Sequence, residues 1–470
     1  MITFIKNNKT FLLLVSFCIA FYIVFASNLD RSDFIKLISL YGGLFFISFK
    51  IIQLNKGRFW LLAGLGILFR FIFIGVLPNL SQDFYRFIWD GRMVIKNINP
   101  YLFTPEDFLN NLSAASRLGS MVAQDQHINQ AQELYNGMGA LNGSHYSNYP
   151  PINQLCFAIA ALFSGKSILG SAIVMRVLIL LADIGILYFG RKLLKNLGQD
   201  PSKIFWYFLN PFIIIELTGN LHFEGVMLFF LIWALYLLQQ KKWWWSEIVL
   251  GISVSVKLIP LLFLPLFFQW FTSTYGAKKG FLKLFLYHLL IVGTVAITFI
   301  PFYSSQFVSN FTETIGLWFQ NFEFNASIYY VIRWIGFKVV GWNIIETVGK
   351  ILPMIVILFI LLITFLRENK SLKQLITVML FGISFYFLLS TTIHPWYIAT
   401  PLLLSIFTKY KFPIVWSLVV MLSYSAYGVD GFSENLWLVA LEYIIVFGYF
   451  VWELLQFKKG KTVLIKTIRY

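Results

Sequence analysis

The feature that most constrains this chain is a recurrence. Long apolar runs follow one another from residue 11 to residue 457, and Lys or Arg bounds them. About 20 apolar residues cross about 30 Å of hydrocarbon as a helix. In lipid, an open chain must satisfy its backbone within each segment, so repeated runs of this kind leave helices as the spanning element. Composition agrees: of 470 residues, 58% are apolar and only 12% charged, with a mean hydropathy of +0.74. Soluble chains carry about a quarter charged residues, so there is too little polar surface to coat a water-soluble globule. The expected fold class is an all-α polytopic membrane protein with about 12–14 transmembrane helices.

Candidate spans fall at 11–27, 34–53, 59–77, 168–190, 203–218, 224–240, 281–300, 345–366, 372–391, 395–408, 412–428 and 436–456. The first has no small-residue cleavage site, which reads as a retained span rather than a signal peptide. The net charge of +16 would suggest nucleic acid in a soluble protein. Here the basic residues sit in short loops between spans, the positive-inside pattern, and no nucleic acid is expected. Loops assigned to the inner side hold 24 of the 37 Lys and Arg residues, among them Lys6, Lys56, Arg58, Lys203, Lys241, Lys242, Lys278, Lys279, Arg367, Lys409, Lys411, Lys459, Lys461, Lys466 and Arg469. Both chain ends are therefore expected in the cytoplasm, in a multi-pass protein of the plasma (inner) membrane. Cys18 and Cys156 lie in apolar runs, so no disulfide framework is implied.

Residues 246–272 do not fit as one span, because Lys241 and Lys242 before them and Lys278 and Lys279 after them belong on the same side. A broken hairpin restores the parity: the chain rises, turns near Lys257-Leu258-Ile259-Pro260, and returns. Pro260 and Pro265 favour a break. Irregular backbone at depth is tolerated only under protein or beside a wet cavity, so Lys257 is expected to face a cavity. Two stretches on the outer side, 79–151 and 301–344, are too long for plain connections, and short interfacial helices are expected in the first.

The densest constellation is SQDFYRFIWDGRMVIKNINPY, residues 81–101. If residues 83–95 are helical, Asp83, Arg86 and Asp90 share a face, and Asp83 at the helix start would cap free amides. Ordinary salt pairs on an amphipathic helix explain the same spacing. The chemistry this pattern suits is transfer from an anionic lipid-linked donor to a hydroxyl. Asp83 is the candidate base. Arg70, Arg86, Arg92 and Lys257 are candidate cations for a leaving phosphate. Arg70 lies within a span, where a charge is costly. Asp90, Tyr149, His222 and Glu224 are candidate substrate contacts, and His394 in TTIHPWYIAT a candidate phosphate contact. Arg176 and Asp183 share one helix face and are read as partners for neighbouring helices. No HExxH or close His cluster signals a metal. Carboxylates leave a divalent cation possible as a phosphate partner. No Walker-type or GxGxxG loop is present, which disfavours a cytoplasmic nucleotide donor.

The SQDFYRFIWDGR…INPY stretch resembles the first outer loop of the GT-C superfamily of polyprenyl-phosphate-sugar-dependent glycosyltransferases, most of all the bacterial polyprenol-phosphate-mannose mannosyltransferases. In that family an Asp closing a short Ser-x-Asp motif serves as catalytic base, and Asp83 matches it. SNYPPINQ (147–154), GNLHFEG (219–225) and SVKLIPLLFLP (255–265) are similar to further family elements, in the same order. The resemblance implies a GT-C-like fold and inverting transfer of a hexose, mannose by preference. The partners it implies are a polyprenyl-phosphate sugar donor and a glycan or glycolipid acceptor on the non-cytoplasmic side. It divides one membrane domain into two extra N-terminal spans (1–58), a catalytic module (59–300) and C-terminal spans (301–470). Two rivals stay open: a lipid-linked glycan flippase or transporter, disfavoured by finding one broken helix rather than a pair, and a ligase or polymerase using a pyrophosphate carrier.

Overall fold

A computed structural model of the chain describes residues 9–110, 128–320 and 322–458. Lys6, Lys459, Lys461, Lys466 and Arg469 lie outside the described residues. The described chain is an all-α polytopic membrane protein. Its strand content is a two-residue hairpin, Tyr427–Gly428 with Gly431–Phe432, and a bridge between Phe324 and Thr392. Seven helices are long and apolar enough to span a bilayer alone: Lys9–Ser27, Phe34–Leu54, Ile168–Asn196, Ala277–Phe302, Ile345–Leu366, Leu372–Leu389 and Leu436–Lys458. Pro211–Gly219 and Glu224–Gln239, bent by 115°, form an eighth candidate.

The seven or eight are those long and apolar enough to span as single helices among the described residues; other crossings are made of shorter pieces. Among these pieces are the short apolar helices Phe59–Phe71, Pro395–Ile406 and Phe412–Ala426. Proline accounts for much of this fragmentation. Pro211, Pro395 and Pro413 each open a helical piece in its first turn, where the missing N–H costs nothing. Pro151–Ser164 is an apolar helix that the span assignment left out.

The broken hairpin is present. Helix Trp243–Val256 stops at Lys257, whose backbone is extended (φ −148°, ψ 141°), and the chain resumes as a tight 3₁₀ segment, Ile259–Phe267, then Phe268–Tyr275. The ring of Pro260 would clash with the carbonyl four residues back, that of Val256, so the α-helix ends there. The connection expected between the spans 203–218 and 224–240 is also present, and its winding is what the sequence did not foretell. Residues Ile214–Gly219 wind as a π-helix, and the chain turns through Asn220–Phe223 before Glu224–Gln239. The single-break premise used against a transporter therefore does not hold.

Following the helices in order, the connections alternate between two ends. One end gathers 55–58, 197–203, 240–242, 276, 367–371 and 407–411, which contain Lys56, Arg58, Lys203, Lys241, Lys242, Arg367, Lys370, Lys409 and Lys411. Gln199 Nε2 donates to the Phe407 carbonyl (2.7 Å), tying two of these loops together. The other end gathers 28–33, 72–82, 220–223, 257–258, 390–394 and 427–435. The long loop adds helices Asp83–Ile95 and Ala131–Gly143 there, as short helices were expected to do. Residues 111–127 of that loop lie outside the described residues. Ser305–Gln320 and Ile328–Val339 fill the 301–344 stretch.

Two buried arginines join these pieces. Arg70 Nε bonds Asp183 Oδ2 at 2.7 Å, both side chains fully buried, while Nη1 donates to the carbonyls of Gly66 (2.9 Å) and Phe208 (2.8 Å). Arg176 donates to four carbonyls: Thr218 (2.8 Å), Gly219 (2.9 Å), Ile74 (3.1 Å) and Val76 (2.8 Å). Asp183→Ala would leave Arg70 buried and unpaired, at an expected loss of about 3–5 kcal/mol. The double variant Arg70→Met, Asp183→Leu should recover most of that loss. Thermal denaturation of the detergent-purified proteins measures both, and an Asp183→Ala protein as stable as wild type would refute the pairing.

Candidate active site

The alternation places five elements around one cavity of about 680 Å³. Ser81, Gln82 and Asp83 come from the start of the first loop helix, and Asn148, Tyr149 and Pro150 from the SNYPP segment. His222 comes from the π-helix turn, Lys257 to Ile259 from the broken hairpin, and His394, Trp396 and Tyr397 from the HPWY segment. One wall is apolar, with Leu258, Ile259, Leu262, Ile315 and Phe387. Charged and hydroxyl groups, among them Asp83, Lys257, Arg31, Tyr149 and Tyr397, line the same cavity.

Of the residues proposed from sequence, Asp83, Lys257, His222, His394 and Tyr149 line this cavity together. Asp83 is the first residue of its helix, and Gln82, not Asp83, stands at the cap position. The Asp83 carboxylate makes no capping bond, contrary to expectation. Ser81 Oγ accepts from the Asp83 N–H instead (3.3 Å), and Asn142 Nδ2 donates to the carboxylate (3.4 Å). Burial pushes the Asp83 carboxyl above the usual carboxylate range. Lys257, the Asn142 hydrogen bond and Arg31 pull the other way without cancelling that shift.

Glu224 does not line the cavity. It is fully buried and pairs with Lys257 Nζ, which holds the ammonium against the wall. His222 and His394 both stack on one indole: His222 lies 3.6 Å and His394 4.5 Å from Trp396 between ring centroids. Burial, with Lys257 and Arg31 nearby, pushes His394 down to about 3, so it faces the site as a neutral imidazole. In that state it would meet a phosphate through a neutral N–H rather than a charge.

Four residues proposed for the site are committed elsewhere. Arg70 is the buried partner of Asp183, not a snorkelling or phosphate-facing group. Asp90 is fully buried and accepts from Arg86 Nε (2.8 Å), Ser147 Oγ (2.5 Å) and Gln154 Nε2 (3.0 Å). Arg86 Nη1 donates to the carbonyls of Asn142 (2.7 Å) and His145 (2.8 Å). Arg92 bonds the carbonyls of Asn129 and Lys166 and the Gln130 side chain. These side chains fasten the returning loop over the Asp83 helix; none lines the cavity. Tyr101 of INPY acts similarly, its hydroxyl donating to the Tyr149 carbonyl (2.6 Å).

Sequence reasoning missed Arg31, Asn142, Tyr397 and Tyr427, all on the cavity wall. Arg31 carried one usable signal: it is an arginine in a short turn on the side where basic residues are sparse. The other three have ordinary neighbours and no motif. Among the described residues, no three His, Cys, Asp or Glu side chains gather as metal ligands.

Residues 72–273 match the family model of the MptA_B family, alpha-(1->6)-mannopyranosyltransferase, N-terminal domain. That is less than half of the chain, and it contains Asp83, Tyr149, His222, Glu224 and Lys257. No curated protein matches the chain. The match supports a GT-C-type mannosyltransferase acting in a membrane, and the apolar helices agree with it.

Gly91 sets how closely the Asp83 helix approaches helix Pro151–Ser164. A Cβ at Gly91 would stand 2.2 Å from the Phe157 carbonyl oxygen. Gly91→Ala should therefore force the helices apart, destabilising the protein by about 1–3 kcal/mol as overpacking does. Gly64→Ala meets nothing within 4 Å and should leave melting unchanged or raise it. Equal melting temperatures for the two variants would contradict this packing.

Proposed function

We propose that this protein transfers a mannosyl unit from a polyprenyl-phosphate carrier to a hydroxyl of a glycan or glycolipid acceptor. The observation that carries the reading is the pairing of chemistries in one cavity. A half-buried carboxylate and a lysine line the same cavity as a group of aliphatic and aromatic side chains, Leu258, Ile259, Leu262, Ile315 and Phe387. A lipid-linked phosphate sugar is amphipathic in the same way: its isoprenoid chain suits the apolar side chains, and its phosphate and sugar suit the polar ones.

In this reading Asp83 accepts the acceptor's hydroxyl proton as the oxygen attacks the anomeric carbon. The bond from that carbon to the phosphate oxygen breaks, and its electron pair leaves with the lipid phosphate. Lys257 offsets the charge that develops there. Attack by the acceptor oxygen from the face opposite the departing phosphate would invert the anomeric configuration, and the anomeric configuration of the product tests this. Tyr149, His222 and the Trp396 face bound the space for sugar rings. Arg86, Asp90 and Arg92 are assigned to positioning the loop that carries Tyr149.

The second break lends a specific observation to the transporter reading, since paired broken helices often mark substrate paths. A half-buried carboxylate beside a lysine favours chemistry. Purified protein in detergent, with a polyprenyl-phosphate mannose and a glycan acceptor, separates the two, because transport yields no new product mass. A parallel assay with a pyrophosphate-linked glycan tests the ligase reading.

Asp83→Asn should lower transfer by about 10²–10⁴-fold at normal protein levels. Activity near wild type would remove Asp83 as base. The pH profile adds a sign. Because burial raises the Asp83 carboxyl, it stays protonated to higher pH than an ordinary aspartate. The acid limb of kcat/KM should then lie above about pH 4, activity falling as pH drops through it. A limb at or below the ordinary aspartate value would contradict the burial argument.

The basic ends of the helices support a cytoplasmic orientation for that end and an exterior or periplasmic orientation for the cavity. Impermeant thiol reagents on intact cells should label Gln132→Cys and spare Lys242→Cys, both exposed positions. The native Cys18 and Cys156 are buried, which keeps background low. The reverse pattern would place the site in the cytoplasm and rule out a flipped lipid donor.

A further inference from the structure

We propose that Arg31 is a second ligand for the donor phosphate, contributed by the N-terminal helical hairpin. This rests on the polyprenyl-phosphate reading above. Arg31 lies in the turn between helices Lys9–Ser27 and Phe34–Leu54, outside the 72–273 stretch that matches the mannosyltransferase model, yet it lines the same cavity as Asp83 and Lys257.

The turn is built to hold it there. Asp30 Oδ1 accepts from the Ser32 N–H (2.9 Å) and hydroxyl (2.7 Å). Asp33 caps the following helix by accepting from the Lys36 N–H (3.1 Å), and Lys36 Nζ reaches back to the Asn28 side chain (2.5 Å). Asn79 Nδ2 then donates to the carbonyls of Phe25 (2.8 Å) and Leu29 (3.2 Å). That last bond ties the turn to the segment running into Ser81 and Asp83, so the arginine and the carboxylate keep a common frame.

What sets Arg31 apart is the lack of an anionic partner. The other cations are committed: Lys257 to Glu224, Arg70 to Asp183, Arg86 to Asp90. Among the described residues, no ion pair or hydrogen bond holds Arg31, and its Nε is buried without a partner. Its guanidinium rests on the Tyr427 ring, 3.2 Å from the centroid. A stacked guanidinium keeps its N–H donors free in one plane, the geometry that binds phosphate oxygens in pairs. Lys257, half-neutralised by Glu224, supplies a point charge; Arg31 supplies the uncompensated charge and the fork.

The test compares binding of a short-chain polyprenyl phosphate with binding of the matching polyprenol to full-length protein in detergent. Wild type should prefer the phosphate. Arg31→Gln should bind the phosphate about 10–100-fold more weakly, the loss typical of a charged hydrogen bond, with polyprenol affinity unchanged. A role confined to packing on Tyr427 would move both ligands alike or only the melting temperature. Should Arg31→Gln fail to fold, Arg31→Lys gives the same comparison with a smaller expected loss, because an ammonium replaces the fork. A full phosphate preference retained in the variant overturns the Arg31 assignment and leaves the functional reading standing. No phosphate preference in wild type overturns both.

Discussion

The site depends on how a helix is allowed to stop inside a membrane protein. Each interrupted helix strands carbonyl oxygens that have no water to meet, and in hydrocarbon such groups cost several kcal/mol. Arg176 answers that at the critical place. Its single guanidinium collects Thr218 and Gly219 from the π-helix end, and Ile74 and Val76 from the segment that leads to Asp83. Two chain breaks distant in sequence are thereby fixed to one another. The turn at 220–223 can then present His222, with Leu221 held at a positive φ of 63° that a branched residue rarely adopts. Asn220 Oδ1 accepts from the Leu80 N–H (3.1 Å), closing the same joint from the other side.

Several buried charges are paired, and a carboxylate and a guanidinium without an ion pair among the described residues, Asp83 and Arg31, line the cavity. Glu224 sits behind Lys257, Asp183 beside Arg70, and Asp90 beside Arg86. The two histidines at the site each stack on one indole, that of Trp396, and His394 is held neutral, so this aromatic group adds shape and hydrogen-bonding edges with little charge. Asp83 is the exception, a carboxylate only partly compensated by its neighbours. A group poised in that way is better suited to taking a proton than one clamped in a strong pair.

Much of the fold was legible because membrane helices advertise themselves locally. Apolar runs and basic loops gave the order of helices, and proline at 260 marked the break that exposes Lys257. The site was legible only where a residue's role follows from its own neighbourhood. Asp83 and Lys257 stand at helix boundaries, and boundaries can be read. Arg70, Arg86, Asp90 and Arg92 looked equally functional, since a charge in an apolar segment has the same appearance whether it faces substrate or a hidden partner. Their partners lie far away in the chain: Asp183 for Arg70, Ser147 and Gln154 for Asp90, Lys166 for Arg92. The turn at GNLHFEG was legible as a connection between two spans, but the π-helical winding of Ile214–Gly219 before it was not, since the carbonyls of Thr218 and Gly219 are held by Arg176, about forty residues earlier in the chain.

The cavity also shows why residues 72–273 would make an incomplete unit. That stretch holds Asp83, Tyr149, His222 and Lys257, but the indole on which His222 stacks is Trp396, and the ring beneath Arg31 is Tyr427. The polar wall thus closes only when the N-terminal hairpin and the C-terminal helices pack against the central stretch. Tyr41 of the hairpin donates to the Ser417 carbonyl (2.5 Å), and Tyr424 donates to Glu216 (2.8 Å) beside the π-helix turn. Each contact joins two of the three regions and buries a polar group that would otherwise face lipid or an apolar interior. Regions bound through the site itself cannot separate without opening it, so stability of the bundle and shape of the cavity rise and fall together.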